Sequence, residues 1–216
     1  MSKIYLIPGM GADSRIYKHV ELPESDEVIR VDWIEPGEKD TLADYAQKLV
    51  NHYHIQPGSI IIGNSLGGML AIEIAKSIYT KKTVLISSIR SIDEAPAYFS
   101  FFWALPVYRL IPGKWMTSMS FILKFAFGNM AKENKALFMD MLKNTSPDFL
   151  KWSMGAVLAW DNRIVPPGVF QLIGDKDRVF TYRKQKSAKV IKGGTHIMIF
   201  DKAREVNDFL RKVLAE

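Results

Sequence analysis

The sequence predicts an α/β protein: an open, mostly parallel sheet of about six strands flanked by helices, with an inserted helical region. Three observations predict it. Short apolar runs alternate with helical patterns along the chain. The runs are apolar throughout rather than at every second residue, as in strands buried on both faces. One stretch, residues 89–168, breaks the alternation and has little strand character.

The elements follow in order. The first run is Lys3-Ile4-Tyr5-Leu6-Ile7-Pro8, ended by Gly9, and the second spans residues 27–33. A helix is predicted over residues 41–54. Thr41 caps it, its first turn is acidic, and Leu42, Tyr45, Ala46, Leu49, Val50 and Tyr53 recur with the 3.6-residue period. The third run, residues 59–64, leads into a helix over 65–79 so apolar that it must be buried. The fourth run is 83–88, the fifth 169–174 and the sixth 188–192. A helix over 203–214 closes the chain, with Val206, Phe209, Leu210, Val213 and Leu214 on one stripe. Strand–helix–strand repetition with right-handed crossovers places helices on both faces of the sheet.

Residues 1–88 and 169–216 therefore form the α/β core, and 89–168 an insertion of several short helices rather than an independent domain. The insertion holds 14 of the 25 aromatic residues and six of the ten Met. A chain of 216 residues suits one domain with such an insertion.

Composition narrows the function classes. At 48% hydrophobic and 24% charged, the chain is ordinary for a globular protein, not collagen-like or disordered. It has no cysteine, hence no disulfide framework, thiolate metal site or Cys nucleophile, which fits a reducing compartment. The net charge of +6 is scattered, so no nucleic-acid partner is expected. The N-terminal apolar run is too short for a signal core. The most membrane-like stretch, residues 98–112, is interrupted by Pro106 and Arg109, and no run reaches the roughly 18 apolar residues of a spanning helix. The expectation is a cytoplasmic protein with no membrane insertion.

The strongest chemical signal is Gly63-Asn64-Ser65-Leu66-Gly67-Gly68. It fits G-x-S-x-G, follows an apolar strand and opens an apolar helix, the context of a nucleophile elbow. A Ser at the tip of so tight a turn sits in a strained backbone conformation, and side chains two before and two after it would collide with the turn. The helix N-terminus favours negative charge developing there.

A Ser hydroxyl needs a base. His19, His52 and His54 lie in or near polar segments and read as solvated imidazoles. His52 and His54 are two residues apart and share no helix face, so they form no metal pair. His196 instead follows the sixth strand in Lys192-Gly193-Gly194-Thr195-His196, where glycines let a loop bend over the sheet edge. The third member is a carboxylate that orients the imidazole. After the fifth strand, in Gly174-Asp175-Lys176-Asp177, the Gly-x-x-Asp turn selects Asp177. Asp175 is the local rival and Asp93, which also reads as a helix cap, the distant one. An oxyanion hole needs two backbone N–H donors, for which Leu66 and Met10, in the Pro8-Gly9-Met10-Gly11 loop, are the candidates.

These four motifs, in the order nucleophile, acid, histidine, make the chain resemble the α/β-hydrolase fold superfamily, especially its esterases and the small plant methylesterase and hydroxynitrile-lyase group. The resemblance implies a core lacking the superfamily's first two strands, with 89–168 as a helical cap over the active site. It departs from the pattern in having Pro8-Gly9 where His-Gly is usual and Thr195 between the glycine pair and His196. It implies a cofactor-free serine esterase with a small-molecule ester or thioester substrate. The same fold hosts hydroxynitrile lyases, C–C bond-cleaving enzymes and, as a non-catalytic alternative, ligand receptors.

A rival reading takes Gly9-Met10-Gly11-Ala12-Asp13-Ser14, with Asp32 ending the next strand, as a dinucleotide fingerprint. Ser14 replaces its third glycine, and it leaves Ser65, Asp177 and His196 unexplained. Aromatic and Met side chains of the insertion, including Trp103, Met116, Met119, Phe125 and Trp160, are expected to line an apolar substrate pocket. Eight Lys and Arg against four Asp and Glu over residues 95–165 make the cap basic, read as a solvated face.

Overall fold

In the computed structural model, residues 2–105 and 130–215 are described. Six strands form one sheet: β1 (Lys3–Ile7), β2 (Glu27–Arg30), β3 (Ser59–Asn64), β4 (Thr80–Ile86), β5 (Val169–Gly174) and β6 (Lys189–Ile191). Their spatial order is β2-β1-β3-β4-β5-β6, and every pairing is parallel. The chain steps outward from β1 to β2 and then returns across β1 to β3. That reversal opens a crevice beyond the carboxyl ends of β1 and β3, where ligands bind in open α/β sheets.

The helices of the core are α1 (Leu42–His52) and α2 (Leu66–Ser77). Within the insertion the described residues form α3 (Tyr98–Ala104), α4 (Lys132–Asn144) and α5 (Pro147–Leu158). The chain closes with a short α6 (Met198–Asp201) and α7 (Ala203–Ala215). Alternate strand residues feed two cores. Tyr5, Ile7, Ile61, Leu85 and Ile173 pack under α1 and α2, with Phe149 and Ala156 of α5. Ile4, Leu6, Ile60, Ile62, Val84, Ile86 and Leu172 pack with α4, α6 and α7 on the other face. Each fully buried Ile or Leu contributes about 1.5–3 kcal/mol over leaving it exposed, so burial on both faces explains the unbroken apolar runs.

Thr41 caps α1 as expected. Its Oγ1 accepts the Asp44 N–H at 3.2 Å, and Asp44 Oδ2 accepts the Thr41 N–H at 3.0 Å, a reciprocal box. Two strands, β2 and β4, differ from the sequence reading by more than one residue at an end. β2 stops at Arg30 rather than residue 33, because it is an edge strand. Beyond it Trp33 turns inward, stacks on Phe149 at 4.6 Å and donates Nε1–H to the Ala12 carbonyl at 2.8 Å. β4 runs from Thr80 to Ile86 rather than over 83–88. Its polar start hides it from a search for apolar runs, and Ser87, at φ 49°, cannot continue a strand.

In the insertion, α4 rests on the loop after β1. The Asp13 N–H points at Met141 Sδ at 3.5 Å, and Arg15 pairs with Asp140 at 2.8 Å. α5 lies against α1, where Trp152 meets the Tyr45 ring at 4.5 Å and donates to the Asp40 carbonyl. Among the described residues no helix is long and apolar enough to cross a membrane.

Candidate active site

Ser65 stands between β3 and α2 with φ 51° and ψ −116°. A β-carbon on Gly63 would lie 2.2 Å from the Gly67 carbonyl oxygen, and one on Gly67 would lie 2.2 Å from that of Ile7. The turn is therefore closed to any side chain at either position, and the strained Ser65 backbone is held from both sides. The Ser65 N–H donates to the Ile86 carbonyl at 3.0 Å, and Ser88 Oγ donates to the Ser65 carbonyl at 2.6 Å.

Ser65 Oγ lies 2.9 Å from His196 Nε2, and His196 Nδ1 lies 2.9 Å from Asp177 Oδ2. A carboxylate only accepts, so Nδ1 carries the hydrogen. In the neutral imidazole Nε2 is then left to accept from the Ser65 hydroxyl. The Asp177 side chain is fully buried, and that of His196 is 8% exposed. Asp177 Oδ1 also accepts the N–H groups of Val179 at 2.8 Å and Phe180 at 2.9 Å. The Phe180 ring stands edge-on to the imidazole, with centroids 5.5 Å apart.

The rival carboxylates are engaged elsewhere. Asp175 Oδ1 accepts the Gly193 N–H at 2.6 Å, so it braces the loop that carries His196 rather than the imidazole. Asp93 is exposed and pairs with Arg163 at 2.6 Å. His19, His52 and His54 are exposed. Thr195 Oγ1 donates to Asp201 Oδ2 at 2.9 Å, linking the His196 loop to α6. Burial pushes the Asp201 carboxyl above the usual range, against that hydrogen bond and nearby Lys202.

The loop after β1 lies beside Ser65. A β-carbon on Gly9 would stand 3.3 Å from Ser65 Cβ. The Ala12 N–H closes this loop onto the Gly9 carbonyl at 3.0 Å. Among the described residues neither the Met10 nor the Leu66 N–H has a backbone acceptor in the turns and loops.

The pocket residues divide. Met116, Met119 and Phe125 lie outside the described residues, as does the side chain of Trp103. Trp160 is buried and donates Nε1–H to Glu73 Oε1 at 2.7 Å. Glu73 lies about 12 Å along α2 from Ser65, and Trp160 borders a groove with Asp40, Lys76 and Trp152 whose lining does not include Ser65. The Glu73 carboxylate also accepts from Lys76 Nζ, at 3.1 Å on Oε1 and 2.8 Å on Oε2.

Three contacts were missed from sequence. Ser88 clamps the Ser65 carbonyl, Phe180 packs on His196, and Tyr98 Oη donates to the Val179 carbonyl at 2.7 Å. The Ser87-Ser88 pair ending an apolar strand was the one available signal for the first. Tyr98 is 38% exposed as a residue, but desolvation of its hydroxyl pushes it above the ordinary phenol range, and the neighbouring Asp177 charge pushes it the same way.

Comparison with known proteins places this geometry. A model of the alpha/beta hydrolase family matches residues 4–209. Among solved structures, the chain is similar to the enol-lactonase from Burkholderia xenovorans LB400, with a TM-score of 0.80 at 17% identity, over 100% of this chain and 92% of that one. It is similar to a hydrolase from Oleispira antarctica, with a TM-score of 0.78 at 16% identity and the same coverage of 100% and 92%. The esterase from Exiguobacterium antarcticum gives 0.77 at 14% identity, again over 100% and 92%. No curated protein matches the chain by sequence. The structural likenesses show the fold; the family match covers nearly the whole length, and on it the chain belongs to the alpha/beta hydrolase family.

Proposed function

We propose that this protein is a cofactor-free serine hydrolase that cleaves a carboxylic ester or thioester with an apolar acyl or alcohol part. The observation that carries the reading is the relay from the strained Ser65, through His196 at 2.9 Å, to the buried Asp177 at 2.9 Å. Ser65 Oγ attacks the carbonyl carbon while His196 Nε2 takes its proton. Asp177 holds the imidazole and stabilises its cation. The Met10 and Leu66 N–H groups bind the oxyanion, and losing one such donor costs on the order of 10²–10³ in rate. His196 then protonates the leaving alcohol or thiol, and water resolves the acyl-enzyme. The insertion acts as the cap, with α4 seated on the oxyanion loop. An enol-lactonase and an esterase among the similar folds agree with ester-bond cleavage.

A fluorophosphonate probe tests this directly. The expected adduct maps to Ser65 by mass spectrometry and is lost in His196→Ala. p-Nitrophenyl esters of graded chain length then size the pocket. No adduct together with no turnover would overturn the reading.

A further inference from the structure

We infer that Tyr98 is a positioning residue: through the Val179–Phe180 peptide group it sets the orientation of Asp177, and so ties the seating of the insertion to the His196 imidazole. The inference rests on the reading of Asp177 as the acid of the relay. Tyr98 is the first residue of α3, the first α-helix after β4. Its hydroxyl donates to the Val179 carbonyl at 2.7 Å. That carbonyl belongs to the same planar peptide whose N–H, on Phe180, donates to Asp177 Oδ1 at 2.9 Å. One rigid group is thus held by Tyr98 on one side and holds the carboxylate on the other. A hydrogen bond accepted at the oxygen polarises the peptide and strengthens the one its N–H donates. Oδ2 of the same carboxylate faces His196 Nδ1 at 2.9 Å.

Other contacts make the two segments one body. The Phe180 ring lies between Phe99, at 6.1 Å, and His196, at 5.5 Å. Lys184 Nζ donates to the Ala95 carbonyl at 2.6 Å. A phenol is protonated at neutral pH, so the Tyr98 hydroxyl is a donor there. The Lys184 contact joins the same two segments but bypasses the Val179–Phe180 peptide, which makes it the internal control.

The test compares Tyr98→Phe with Lys184→Met. Tyr98→Phe keeps the ring against Phe99, at 5.3 Å, and removes only the hydroxyl. Two readouts are taken: the low-field proton resonance of His196 Nδ1–H, which does not depend on turnover, and kcat and KM on a p-nitrophenyl ester. In Tyr98→Phe the resonance is expected to shift and broaden, and kcat to fall about fivefold with KM unchanged, the rate equivalent of one hydrogen bond. Lys184→Met is expected to lower the melting temperature and leave the resonance and kcat as they are. An unchanged resonance in Tyr98→Phe, or Lys184→Met reproducing its effects, would overturn the inference and leave Tyr98 as a structural stitch. A wild-type protein that shows the resonance but neither labels nor turns over ester would overturn the hydrolase reading alone, since the resonance still reports on the Tyr98 tie.

Discussion

Gly174 and Gly194 meet backbone against backbone: a β-carbon on Gly174 would stand 2.0 Å from the Gly194 carbonyl oxygen. The same carbonyl accepts the Lys176 N–H at 2.9 Å. The loop bearing Asp177 and the loop bearing His196 are therefore joined before their side chains touch. Gly174→Ala forces the loops apart, with an expected loss of about 2–3 kcal/mol in stability. A displacement near 1 Å at the imidazole is expected to slow labelling of Ser65 on the order of 10²-fold. Urea unfolding and probe kinetics on the same sample check both.

The two neighbouring aspartates are expected to separate cleanly. Asp177→Asn keeps the size of the side chain but favours the wrong imidazole tautomer, so kcat should fall on the order of 10⁴-fold. Asp175→Ala removes only the acceptor of the Gly193 N–H. Its expected cost is about 1 kcal/mol of stability, with kcat within a few fold of wild type. Steady-state kinetics on one ester, run beside thermal melts, distinguishes the two. Equal losses in kcat would overturn the assignment of Asp177 as the acid.

Ser88 holds the carbonyl of a residue in a costly conformation. Ser88→Ala keeps the β-carbon that packs near Gly68 and removes the hydroxyl bonded to the Ser65 carbonyl. The expected result is about 1 kcal/mol of lost stability and roughly fivefold slower labelling of Ser65. Labelling at the wild-type rate would show that the glycines alone hold the elbow.

The α1 cap offers a change far from chemistry. Thr41→Ala is expected to cost about 1 kcal/mol at neutral pH and leave kcat unaltered. The Thr41 side-chain hydrogen bond, and then its backbone N–H, hold the Asp44 carboxyl below its ordinary 3.8. A depressed carboxyl stabilises the fold above its unfolded pKa, and that contribution is lost as pH falls through the folded value. The gap between variant and wild type in urea midpoint should therefore narrow as pH drops below 3.8. A gap that is constant with pH would mean that the box is not the source of the shift.

Much of the core was legible because its signals are local. The runs at β1, β3 and β5 are apolar wherever both faces are covered, and Thr41 with Asp44 declares a helix start within four residues. Gly63 and Gly67 flank Ser65 at offsets that only a tight strand-to-helix turn requires. The start of β4 was not legible, because Thr80, Lys81 and Lys82 carry no apolar run, yet Thr80 pairs with Ser59. Glu73 as the partner of Trp160 was not legible either, because an aromatic in an insertion does not announce which buried group it meets.

The sequence by itself determined the parallel sheet, the elbow at Ser65 and the glycine-rich loop at His196, since each follows from residues adjacent in the chain. The Gly-x-x-Asp turn already pointed to Asp177, but only the tertiary structure decided that its Oδ2 meets His196, that Asp175 braces Gly193 instead, and that Tyr98 and Ser88 reach the same neighbourhood. Those contacts span from 18 residues, for Gly193 with Asp175, to 81, for Tyr98 with Val179. They depend on the pairing of Gly174 with Ile191 and on how the insertion docks. A side chain's partner is set by the geometry of packed strands and loops; a local pattern of residue types nominates a candidate but does not fix the contact.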